Sequence, residues 1–181
     1  MLYKLSVYLK VVRNLSLAII FAMCGFGSAQ SVRYGDVRLV TSPSFAENVQ
    51  DKAVVLQSSN GNMEMYVFCV DSRTANVSLY IPDGDFAAYG YRNGARIPVV
   101  WQADQRRRVS ENWQVIGQND DLRRYGQLGL ITAELFSTKQ RFAVDIFQSH
   151  YIFPARGINT ALRQLTCVVP FLKGMGYNTN R

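Results

Sequence analysis

Met63-Glu64-Met65-Tyr66-Val67-Phe68-Cys69-Val70 is the stretch on which the fold turns. Met65, Val67 and Cys69 fall on one face of an extended chain, and Tyr66, Phe68 and Val70 on the other. A strand apolar on both faces belongs inside a sheet with cover on each side. The stretch is therefore read as a central strand, with Cys69 in the core. The apolar run Ala53 to Gln57 lies just before it, and the intervening Asn60-Gly61 is a hairpin-type turn signal.

Outward from this strand the pattern stays β-rich. Ser31 to Val40 alternates loosely and reads as one first strand, broken at Pro43. Val77, Leu79 and Ile81 alternate with Ser78 and Tyr80, which predicts a half-exposed strand ended by Pro82-Asp83-Gly84. Phe86 to Arg92 and Ala95 to Gln102 flank Asn93-Gly94, two residue types that tolerate positive φ, so the segment reads as a hairpin. In its second arm Ile97, Val99 and Trp101 share a face. Pro98 donates no backbone hydrogen bond, which places that arm at a sheet edge or at a bulge. Asn112 to Ile116 is a further strand with Trp113 and Val115 inward, and Gly117 to Asp121 is turn-like. Leu128, Ile131 and Leu135 at i, i+3 and i+7 predict a short helix. Arg141 to Phe147 is a strand with Phe142, Val144 and Ile146 buried, and His150 to Phe153 pairs beside it. Ile158, Ala161, Leu162 and Leu165 form the stripe of a last helix, N-capped by Gly157 and ending at Cys167. The fold class that follows is mainly β (α+β), an antiparallel β-sandwich or open barrel with a C-terminal helix.

The chain has 181 residues and a net charge of +7. Its start reads as a leader: Lys4, Lys10 and Arg13, then an apolar run from Leu15 to Phe26, then the small residues Gly27-Ser28-Ala29. That run has the length of a secretory core and is short for a bilayer span. The expected division is a cleaved signal peptide at 1–29, one β-rich domain at 30–169 and a flexible tail at 170–181. An uncleaved membrane anchor and, through Cys24, a lipoprotein signal are the alternatives. Cleavage takes the twenty basic residues to seventeen against thirteen acidic ones, leaving +4. Charge of that size names no partner.

Cleavage would also leave two cysteines, Cys69 and Cys167. An even pair in an exported chain reads as a disulfide, with two buried free thiols as the alternative. The bridge would pin the last helix onto the central strand. Closing so long a loop contributes about 4–5 kcal/mol on a chain-entropy estimate.

Chemistry is sparse. His150 is the one histidine, no CxxC exists, and no metal site or glycine-rich phosphate loop is evident. Ser149 beside His150 suggests a dyad, but neighbours on a strand point to opposite faces. Glu134 and Asp145 are the carboxylates least explained by turns, and nothing marks them as a pair. Asn76-Val77-Ser78 matches a glycosylation pattern inside a predicted strand. No catalytic residue, cofactor or metal is assigned, no enzyme activity is expected, and nucleic-acid binding fits poorly with export. Arg106-Arg107-Arg108 is either a binding patch or a solvated turn. Together with Asp83, Asp85, Tyr89, Tyr91 and Arg92 it makes up the candidate interaction surface.

The order of several motifs resembles one family. Met65-Tyr66-Val67-Phe68-Cys69-Val70, then Ala75 to Ile81, then Tyr89-Gly90-Tyr91-Arg92-Asn93-Gly94 with Trp101, lead to a closing run of Arg141 to Asp145, Phe153, Gly157-Ile158, Ala161-Leu162, Leu165 and Cys167. In this order they are similar to the type VI secretion-associated periplasmic proteins of the VasI/TagO type. The likeness covers roughly residues 63 to 167. Asn93 stands where that family often has Asp, and Arg106 to Arg108 and Gly117 to Tyr125 have no counterpart in it. The resemblance implies a non-catalytic periplasmic accessory protein with an envelope protein partner, no stable membrane span after cleavage, and structural cysteines. The competing expectation is an exported inhibitor of a cell-wall hydrolase, or an invasion- or stress-associated envelope protein.

Overall fold

The computed structural model describes residues 30–43, 50–72, 74–81, 86–116, 121–124, 129–177 and 179. The expected leader at 1–29 lies outside them, as do Asp83, Asp85 and Leu128. Ten strands form one antiparallel sheet: β1 (Gln30–Tyr34), β2 (Val37–Pro43), β3 (Gln50–Gln57), β4 (Glu64–Cys69), β5 (Ala75–Tyr80), β6 (Arg96–Ala103), β7 (Val109–Ile116), β8 (Asp121–Arg124), β9 (Arg141–Ile146) and β10 (Ser149–Pro154). Their order is β1-β2-β3-β4-β5-β8-β7-β6-β9-β10. Among the described residues the helices are α1 (Gly129–Ser137), α2 (Ile158–Leu162) and α3 (Val168–Gly174), with a 3-10 turn at Phe86–Tyr89.

Registry carries the core from strand to strand. Leu39 faces Val54, Val54 faces Val67, and Val67 faces Val77. Leu79 faces Leu122, which faces Val115. Trp113 faces Ile97, Trp101 faces Val144, and Phe142 faces Phe153. All of these side chains are buried in one cluster, which Ile131 and Leu135 of α1, Ile158 and Leu162 of α2, and Leu172 of α3 complete. With a side-chain period of two, every partner must share a face, so this row is one continuous inner surface. The sheet curls. The Ser59 N–H, after β3, donates to the Ile152 carbonyl of β10 (2.7 Å). The antiparallel β fold with a disulfide-tied C-terminal helix is thus what forms. Cys69 and Cys167 are bonded across a Cα separation of 5.7 Å.

Several expectations need correction. The first strand is a hairpin, β1 and β2, because Gly35 takes positive φ (62°) and turns the chain before Asp36. β4 is central, but its outer residues Tyr66 and Phe68 are half-buried, Val70 is exposed and Cys69 is partly buried. β5 is buried on both faces rather than half-exposed: Ser78 and Asn76 are covered. Tyr66 and Tyr80 meet edge to face beside them (6.4 Å), and the Arg123 guanidinium lies over Phe68 (5.2 Å). The hairpin read at Asn93-Gly94 is absent. Its supposed first arm is the 3-10 turn, and the Ala95 N–H closes a four-residue turn onto the Arg92 carbonyl. Gly94 has positive φ and Asn93 does not, which fits a type II turn and not the paired positive φ of a two-residue hairpin. β6 is internal, between β7 and β9. Pro98 is accommodated because pairing with β9 begins only at Val99.

The C-terminal helix is two helices. Pro170 explains the break: within a continuous helix its ring would collide with the carbonyl of Thr166, whereas the first turn of a new helix has no such partner. Cys167 therefore N-caps α3 instead of ending α2. The chain from 170 is not simply a tail either, since it begins inside α3 and buries Leu172 and Thr179.

Two devices fasten distant segments. The Asp104 carboxylate accepts the N–H groups of Lys139, Gln140 and Arg141, all at 3.0 Å. Burial pushes this carboxyl up, but the three donors outweigh it and hold it below its ordinary value. At the other end the Asp36 N–H donates to the Arg156 carbonyl (2.9 Å), and the Arg156 guanidinium takes the Asp36 carboxylate with two nitrogens (2.9 and 3.0 Å). Gly35 and Gly157 make this crossing possible. A Cβ on either would strike the backbone carbonyl of the opposite segment.

Candidate functional site

The β9–β10 hairpin builds the site. Ile146 pairs with Ser149, so Phe147 and Gln148 are its two loop residues. Phe147 has φ of 57°. Positive φ at the first loop residue is a glycine position, and a bulky residue there is uncommon. Phe147 is nonetheless 39% exposed, so core burial does not account for holding it there. It stacks on Tyr89 (4.7 Å between centroids) and on Tyr91 (5.3 Å). Phe86, fully buried, anchors the 3-10 turn that carries Tyr89. The Tyr91 N–H bonds back to the Phe86 carbonyl (3.0 Å).

Beside this stack lies a pocket of about 330 Å³ on the outer face of β6, β9 and β10. Asp145 and His150 are opposite one another across β9 and β10. One Asp145 oxygen meets His150 Nδ1 and the other accepts from Arg108 Nη2. Gln102 lines the same space and donates to the Arg106 carbonyl (2.6 Å). Phe147, Gln148 and Ser149 form the rim.

The expected surface residues are partly gathered here. Tyr89 and Tyr91 come together through Phe147, and Arg108 enters the pocket. Arg106 does not. It reaches the end of α1, pairing with Glu134 and donating to the Ser137 carbonyl (3.2 Å), where a cation suits the helix dipole. Arg107 and Arg92 are exposed in loop segments. The three adjacent arginines are therefore not one patch. Ser149 and His150 were expected on opposite faces, yet both border the pocket because Ser149 sits where the loop enters the strand. No hydrogen bond joins them among the described residues, and His150 Nδ1 is held by Asp145. Glu134 and Asp145 are apart, each paired to its own arginine. Sequence reasoning missed Phe147, Gln148 and Gln102 as site residues, because a Phe-Gln loop carries no turn signal and Gln102 reads as an ordinary outward strand position.

No protein-family model matches the chain, and no curated protein does. A solved structure does share its architecture. The crystal structure of invasion associated protein B from Bartonella henselae aligns with a TM-score of 0.52 at 12% identity, over 80% of this chain and 98% of that one. At such identity the likeness is one of fold. It bears on the curled, helix-covered sheet and not on the pocket.

Proposed function

We propose that this chain is an exported, non-catalytic interaction protein of the bacterial envelope, and that the face bearing Tyr89, Phe147 and Tyr91 docks a partner protein. The carrying observation is the aromatic stack: the exposed Tyr89 and the half-buried Tyr91 cluster around Phe147, an exposed residue in an unfavourable backbone conformation. Outliers of this kind concentrate at functional sites, and exposed tyrosine is enriched where proteins meet. Two features support export. Structural disulfides persist in oxidising compartments, and the start of the chain has the build of a secretory leader. Among the described residues no helix is long and apolar enough to cross a membrane.

Two finer readings follow. The motif order over residues 63 to 167 favours an accessory of a type VI secretion machine. The fold likeness favours an invasion-associated protein. A tagged full-length chain with a photocrosslinking residue at Tyr89 separates them in envelope preparations. Secretion components captured from that position support the first, and other envelope or surface proteins support the second. A chain retained inside the cell, or one that captures no protein from position 89, would overturn the proposal.

A further inference from the structure

We propose that the pocket beside the stack, bounded by Asp145, Arg108, His150, Gln102 and Gln148, is a binding site for a neutral sugar unit of an envelope glycan. Its volume of about 330 Å³ lies at the small end of the range for ligand pockets, about 300–1,000 Å³. The charges in it argue for a neutral ligand. The Asp145 carboxylate and the Arg108 guanidinium are paired with each other. An anion would meet the carboxylate, and a cation would meet the guanidinium. Polar capacity nevertheless remains. Gln148 and Ser149 have no side-chain partner among the described residues, and His150 uses only Nδ1, leaving Nε2 open. Gln102 spends its amide nitrogen on the Arg106 carbonyl and keeps its oxygen.

These are planar or hydroxylic groups that both donate and accept, which is what a ring of vicinal hydroxyls requires. Phe147 adds an apolar edge to the rim. Its left-handed backbone fixes that edge beside the polar groups. The second pocket-side oxygen sites of Asp145 remain available too, since a carboxylate accepts more than one bond per oxygen. The inference goes beyond the protein-docking role and does not depend on it: the two share Phe147, but the polar groups of the pocket take no part in the docking face.

The experiment is amide-resolved NMR titration of the full, oxidised chain with chitotriose, cellotriose and maltotriose, alongside glucose 6-phosphate. At least one neutral sugar is expected to shift the resonances of residues 145 to 150 with a Kd in the millimolar range or tighter, about 4 kcal/mol. Gln148→Ala and His150→Ala, both exposed, should each weaken binding about tenfold without lowering the melting temperature. Tyr89→Ala, outside the pocket lining, should leave sugar binding unchanged, and crosslinking from position 89 alters no pocket residue, so the two proposals fail separately. The inference is overturned if none of the neutral sugars shifts these residues, if glucose 6-phosphate binds more tightly than they do, or if binding survives both pocket substitutions.

Discussion

Replacing both Cys69 and Cys167 with alanine should cost this fold about 5–6 kcal/mol, and the way it is lost is itself informative. The bridge closes a separation of 98 residues, which in the chain-entropy treatment corresponds to about 4.7 kcal/mol. A smaller folded-state loss is added. Cys167 is fully buried, its N–H donates to the Cys69 sulfur (3.2 Å), and truncating it contributes on the order of 1 kcal/mol. For a domain of this size each kcal/mol moves the melting temperature roughly 2–4 °C, so a fall of about 10–20 °C is expected. With a urea m-value of about 2 kcal/mol/M, the midpoint should drop by about 2.5–3 M. Because the loop spans β4 to α3, the loss is global: amide protection should fall in β4 and in β10 alike. The m-value should rise, since an unbridged denatured chain exposes more surface. Urea unfolding followed by circular dichroism, with and without reductant, decides it. A midpoint change under about 0.5 M, or protection lost at α3 alone, would refute the reasoning.

Gly157→Ala should destabilise by about 2 kcal/mol or more, since the position has φ of 87° and the new methyl meets the Tyr34 carbonyl; thermal melts check this. Asp104→Ala should cost about 1–3 kcal/mol, the net worth of hydrogen bonds to a charged acceptor from donors that water can reach once it is gone. The Asp104 carboxyl is held below its unfolded value, so its contribution is complete above about pH 4 and disappears as pH falls further. The gap between wild type and variant should therefore close in acid, as read from urea midpoints at stepped pH. Phe147→Gly should change stability by less than about 1 kcal/mol, because relief of the left-handed backbone offsets the lost stacking; a larger loss in a thermal melt would mean the stack is needed for folding.

Inward alternation made most strands legible. Trp113 and Val115, or Phe142, Val144 and Ile146, could be placed because they are core residues at a period of two. Turns were less legible. Asn93-Gly94 serves a type II turn after a 3-10 segment, because a turn dipeptide does not say which elements flank it. Gly35 was passed over inside a run of β-formers, so one strand was read where two exist. β5 reads as half-exposed from Ser78 and Tyr80 between apolar residues, but Ser78 is covered because it pairs with Tyr66 and Arg123 of the neighbouring strands. The candidate site was legible only in fragments: Tyr89 and Tyr91 were singled out, but the residue joining them, Phe147, was read as the end of a strand. Arg106 and Arg108 point to different elements because two residues of one turn leave it in different directions.

The crossing of Gly35-Asp36 with Arg156-Gly157 has a consequence for the order of assembly. Its partners are 120 residues apart, so a chain emerging from its N-terminus completes its first two strands long before the segment that clamps them exists. Until Arg156 arrives, nothing clamps the angle at which the β1–β2 ribbon leaves β3. Contacts this distant close slowly, and open strand edges in the interval favour association between chains. Chains ending before Arg156 should therefore accumulate as aggregates rather than as a smaller native fold, and a holdase should matter most during synthesis of the last fifth of the chain.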